Sequence, residues 1–172
     1  MHPNQLPPEE ILGRFFGFTF GLLGVTALLR KAQGLPFFKP KLEGVEHAES
    51  WISGRTSRGL MGFFAGANNC LWFILTGDTV RVGAHFPFNM FFPPFLVRFD
   101  LEIPVGAITA VEEKKKFLMG TWLRIAYEYP DRDGRTKSGW VELRPRHGEG
   151  LARALSEKAR AARDGLGKPF GG

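Results

Sequence analysis

A chain of 172 residues with a formal charge of +6 is one domain's worth of sequence plus a short appendage, and its basic excess suits an acidic partner. Its single cysteine, Cys70, excludes an intrachain disulfide and a cysteine-based zinc site. His2, His47, His85 and His147 are scattered without metal-ligand spacing, and the chain has no P-loop, G-x-S-x-G or dinucleotide fingerprint. No catalytic residue, metal or cofactor is therefore assigned. Nucleic acid is not expected as a partner either: the charge is there, but no reading helix, zinc spacing or RNP-like strand accompanies it.

Residues 15–29 read FFGFTFGLLGVTALL, with no charge and only Thr19 and Thr26 as polar side chains. Such a stretch is apolar all round, which suits a bilayer better than a surface-lying amphipathic helix. At 1.5 Å per residue it covers roughly 22 Å, and about 28 Å when counted from Ile11 with Arg14 snorkelling to the headgroups. A buried or interfacial hairpin and a cleaved signal are the alternatives. Against the signal, Glu9 and Glu10 occupy the place of a basic n-region and no A-x-A site follows Leu29. Arg30, Lys31, Lys39 and Lys41 follow the span, so the positive-inside rule places the C-terminal part in the cytoplasm, with one pass through the cell (inner) membrane. Gly13, Gly17 and Gly21 recur every four residues, a small-residue stripe along which two such helices could form a homodimer.

Residues 32–44, with Pro36 and Pro40, read as an extended linker. Beyond them the period is that of strands, expected over 45–52, 70–76, 79–84, 97–103, 107–112, 123–129 and 139–144. Ser53-Gly54 reads as the end of the first strand. The 97–103 stretch alternates apolar and polar residues without a fault. From residue 149 the period becomes helical: Leu151, Leu155, Ala159 and Ala162 share one face up to about residue 163. Residues 165–172 read as a tail.

Seven short strands and a closing amphipathic helix is the order of a pleckstrin-homology-like (PH-like) barrel. The residues carry more of the likeness. Leu75-Thr76-Gly77-Asp78-Thr79-Val80 resembles the hairpin of bacterial PH-like and GRAM-type domains, and the stretch from Ile103-Pro104 to Val111-Glu112 resembles their I-P-x-x-x-I-x-x-V-E segment. Trp140-Val141-Glu142-Leu143 and the helix after Gly148 resemble the closing strand and capping helix. The resemblance implies a mainly β fold: a seven-stranded PH-like barrel over 45–164 capped by a C-terminal α-helix, preceded by the N-terminal hydrophobic helix of 1–31. The chain departs from that pattern in its anchor and in lacking a clear phosphoinositide motif.

In such a barrel the loops after strands one, three and six emerge at one end. The first, 54–69, holds Arg55 and Arg58 with Phe63 and Phe64; the second, 85–96, holds Phe88, Met90, Phe91 and Phe92; the third, 130–138, holds Arg132, Arg135 and Lys137. Cations beside apolar tips suit a headgroup layer, so these residues are the candidate contacts for anionic membrane lipid or a membrane protein. The other arrangement has 85–95 folded back as a lid. Lys114-Lys115-Lys116 reads as a solvated turn at the opposite end. The function expected is that of a non-enzymatic, membrane-anchored PH-like module; the alternative is a scaffold or accessory subunit of a membrane protein complex with no lipid recognition of its own.

Overall fold

The computed structural model describes residues 7–59, 66–91, 96–116, 120–131, 133–147 and 150–166. The described chain opens with helix α1 (Pro8–Ala32) and continues through strands β1 (His47–Thr56), β2 (Gly66–Leu75), β3 (Thr79–Ala84) and β4 (Leu101–Pro104). Strands β5 (Ile108–Lys116), β6 (Gly120–Pro130) and β7 (Thr136–Arg144) follow, and helix α2 (Leu151–Leu166) closes the fold. The fold class is as expected: mainly β, with an apolar helix before it and a helix after it.

All seven strands lie in one antiparallel sheet in the order β4-β3-β2-β1-β7-β6-β5, so β1 and β7, distant in sequence, are neighbours at its centre. One continuous core runs from Ile52 and Phe73 through Ile103, Ile125 and Leu143 to Leu155 and Ala159 of α2. That helix lies against β5 and the short 3-10 turn Val105–Ala107, over the place where the chain leaves β4 for β5. Its buried positions, Leu151, Leu155 and Ala159, repeat every four residues as the sequence period requires.

Several boundaries differ from the sequence reading, each for a physical reason. Gly54 does not end β1. It sits mid-sheet, where a Cβ would come within 2.8 Å of the Glu142 carbonyl oxygen and the Leu71 and Leu143 side chains, so glycine is there for close approach. Residues 97–100 keep their alternation, with Val97 and Phe99 buried, but pairing with β3 begins only at Leu101. The lysine run is not a turn: Lys114, Lys115 and Lys116 belong to β5 and pair with Trp122, Thr121 and Gly120 of β6. Because β5 is an edge strand, lysines there also discourage pairing with another chain.

Gly83 is a second glycine chosen for space. A Cβ there would lie 2.2 Å from Cζ2 of Trp72, its cross-strand partner. Gly83→Ala is expected to cost on the order of 1–3 kcal/mol through forced displacement of the indole, read as a lowered Tm.

Candidate functional site

The first half of α1 has no packing partner on any side. Ile11, Leu12, Phe15, Phe16, Phe18 and Phe20 are all exposed. The helix is long and apolar enough to cross a membrane, with a mean hydropathy of 1.6. Nothing lies within 4 Å of a Cβ built on Gly13, Gly17 or Gly21, so that stripe is open. In the second half one face goes under: Leu22, Leu23, Ala27 and Leu29 are half-buried, and Thr26 and Arg30 are buried. The part free on all sides, 8–21, is therefore roughly 21 Å long.

Arg30 docks the helix to the β domain. Its Nη1 and Nη2 donate to the two carboxylate oxygens of Asp100 at 2.7 and 2.8 Å, and Nη2 also donates to the Pro36 carbonyl. The Phe37 ring lies 5.9 Å from the guanidinium, and Asn89 donates to the Phe37 carbonyl at 2.6 Å. Residues 33–38 are thus folded against the domain rather than extended, which corrects the linker reading. Arg30 is an internal ion-pair partner, and not one of the free cations flanking the helix.

Beside this foot lies a cleft of about 500 Å³ whose walls include Gln33, Leu35, Arg58, Arg98, Asp100 and Glu102. Arg58 lies 4.0 Å over the Tyr129 ring. Burial, together with the nearby Arg58 charge, pushes the Arg98 guanidinium below its ordinary value. Asp100 is already committed to Arg30, so the cleft carries surplus positive charge. The loop after β3 runs alongside: its 3-10 turn Phe88–Met90 touches α1. Asn89 is buried and holds the loop inward, while Phe86, Phe88 and Phe91 stay exposed and Phe38 packs on Phe86 at 5.3 Å. The loop is therefore both folded back and apolar outside, through alternate residues.

The expected contact residues do not form one patch. Arg58, Phe88, Met90 and Phe91 lie around the foot of α1, with Met90 half-buried. Arg55 lies on β1 instead of in a loop, and its Nε and Nη2 are each 2.7 Å from the buried Glu142 carboxylate, which Arg124 also approaches at 3.7 Å. Arg135 and Lys137 are exposed at the β6–β7 turn, where Lys137 pairs with Asp131 at 3.1 Å. Phe63, Phe64, Phe92 and Arg132 lie outside the described residues. The sequence reading missed Arg98, whose placement at a strand start looked structural, and it missed the role of Arg30 altogether.

A larger cleft, about 740 Å³, opens on the other side of β1 and is walled by Trp51, Ser53, Asn69, Lys115, Arg144 and Arg146 among others. The β1–β2 register slips between Ser50 and Ile52 and again between Ile52 and Gly54. Trp51 and Asn69 fall at these bulges with φ of 60° and 49°, left-handed values that cost a non-glycine residue about 1 kcal/mol or more. The Trp51 indole stacks on His85, centroids 4.3 Å apart.

Burial, with Lys39 nearby, pushes the His85 imidazole below its ordinary 6.5, and its Nε2 has no partner among the described residues. A depressed folded-state value means that the neutral ring stabilises the fold above pH 6.5. As pH falls through the folded-state value, the unfolded chain takes up a proton that the folded one resists, and that stability is lost. The Tm is expected to fall between about pH 7 and pH 5, and His85→Phe, which keeps a stacking ring, should flatten that part of the curve.

Among the described residues, no three His, Cys, Asp or Glu side chains are grouped to hold a metal ion. No family model and no curated protein matches the chain. Among solved structures, a chain of "The 8S snRNP Assembly Intermediate" is similar over 78% of this chain and 93% of its own, with a TM-score of 0.43 and 8% identity. A likeness of that size carries nothing about function.

Proposed function

We propose that this chain is a membrane-anchored, non-enzymatic module whose PH-like β domain sits on the bilayer and binds anionic lipid at the foot of α1. The observation that carries this reading is the company at that foot. An apolar helix with an unpacked first half meets a ring of exposed phenylalanines (Phe38, Phe86, Phe88 and Phe91) and a cleft with surplus cations at Arg58 and Arg98. A free helical length of roughly 21 Å falls short of the ~30 Å hydrocarbon layer. The shortfall is met if the phenylalanine ring sinks to the acyl boundary, drawing Arg58 and Arg98 to headgroup depth. Lys31, Lys39 and Lys41 remain as flanking cations, which favours the cytoplasmic side for the β domain.

A site-specific probe tests this on the full chain. Cys70 is buried and burial pushes its thiol up, so a polarity-sensitive fluorophore can be placed selectively on a Phe91→Cys variant. We expect co-flotation with vesicles and a blue shift larger on phosphatidylglycerol than on phosphatidylcholine, with the difference reduced by Arg58→Gln. Co-flotation without any blue shift would reject the lipid-facing loop and leave a scaffold that packs on another membrane protein. A monomer left behind in the dense fraction would reject the anchor as well.

A further inference from the structure

We propose that the cleft walled by Trp51, Lys115, Arg144 and Arg146 is a second binding site, for a small organic phosphate. It shares no wall residue with the cleft at the foot of α1. Its cations are unspent. The carboxylates nearby are committed elsewhere: Glu49 accepts from the Arg146 and His147 amides and pairs with His47, Glu142 pairs with Arg55, and Glu112 with Lys114. Among the described residues no carboxylate pairs with the side chains of Lys115, Arg144 or Arg146. Glu113 is the one acidic side chain on the wall, so three positive groups face one negative group.

The backbone supports the same assignment. Two bulges in adjacent strands turn Trp51 and Asn69 toward one cleft, both in left-handed conformations and neither buried. Glycine would serve those bulges without strain, and a bulge re-aims the side chain it carries. Asn69 Oδ1 accepts from Ser53, which leaves its amide NH2 to donate. Glu49 fixes the turn that presents Arg146, whose own side chain reaches the Trp51 carbonyl at 3.3 Å.

Guanidinium groups match phosphate oxygens in planar, two-point fashion, and a lysine adds a point charge, so the set suits a doubly charged phosphoryl group. The indole offers an apolar wall to whatever bears it, and about 740 Å³ is room for a small ester. A soluble phosphate ester and a phosphomonoester lipid headgroup present the same chemistry.

The test uses the full chain in phosphatidylcholine nanodiscs. In one arm it is titrated with glycerol 3-phosphate by calorimetry. In the other, phosphatidic acid is included in the disc and binding is read from tryptophan fluorescence. Saturable binding in the first arm identifies a soluble ligand, and in the second alone a headgroup. Either should weaken about tenfold or more in Lys115→Gln/Arg144→Gln, strengthen in Glu113→Gln, and be unchanged in Arg58→Gln. The Glu113→Gln arm keeps the test decisive if the double variant folds poorly. No saturable binding in either arm, an affinity indifferent to both groove variants, or a loss produced by Arg58→Gln instead would overturn the assignment.

Discussion

Asp100→Ala is expected to cost about 3–5 kcal/mol of stability and to release the foot of α1 from the β domain. Asp100 receives two hydrogen bonds from Arg30, whose side chain is 1% exposed. Removing the carboxylate leaves a charged guanidinium in a site without water, with one peptide carbonyl, that of Pro36, to meet it. A buried ion pair is weak evidence for net stability, yet breaking one from a single side is strongly destabilising, because desolvation of the remaining charge is no longer offset. Arg30→Met/Asp100→Leu should therefore recover most of the loss, since both partners become apolar together. Hydrogen exchange over residues 22–36 and denaturant unfolding in micelles would read the two effects separately. A loss under about 1 kcal/mol for Asp100→Ala, with unchanged exchange at residues 22–36, would show that the helix is held by apolar packing alone.

This pair marks where the sequence stops being legible. The existence and order of the seven strands and two helices follow from apolar periodicity, because the buried faces repeat at 2 or 3.6 residues. Arg30 and Asp100 are 70 residues apart, and each has an ordinary local reading: a basic flank after an apolar helix, and a polar position on an alternating strand. No local pattern announces that the two meet. Gly54 misleads for the opposite reason. A glycine after a serine has strong turn character, and only the neighbouring Glu142 backbone and the Leu71 and Leu143 side chains make it a mid-sheet residue.

The candidate contact residues divide in the same way. Phe88 and Phe91 could be found because a run so rich in phenylalanine is too apolar for a solvated loop, and both are exposed. Arg55 and Arg58 look equivalent in sequence, three residues apart, yet one is spent on the buried Glu142 and the other stands over Tyr129 beside the helix foot. What separates them is the partner strand. Trp51 and Asn69 gave no signal at all, since a bulge is a mismatch between two strands and neither strand alone encodes it.

The second large effect concerns α1 itself, and it separates the two tasks the helix has. Phe18→Asp/Phe20→Asp should abolish membrane retention of the full chain while leaving the Tm of the β domain unchanged. The two rings are 73% and 67% exposed, so no packing inside the protein is lost when they go. In hydrocarbon each carboxylate near the middle of a spanning helix costs about 2.5–3.5 kcal/mol, so the pair shifts partitioning toward water by on the order of 10³–10⁵. Thr26 and Arg30, on the face that does pack, predict the reverse: substitutions there should loosen the domain and leave membrane retention intact. If the aspartate pair lowered the Tm of the β domain and left sedimentation with membranes unaffected, the exposed face would be an interface with protein. A helix that keeps bare phenylalanines on its outside and a buried arginine at its end is built to be held at one end by its own domain and along its length by something apolar.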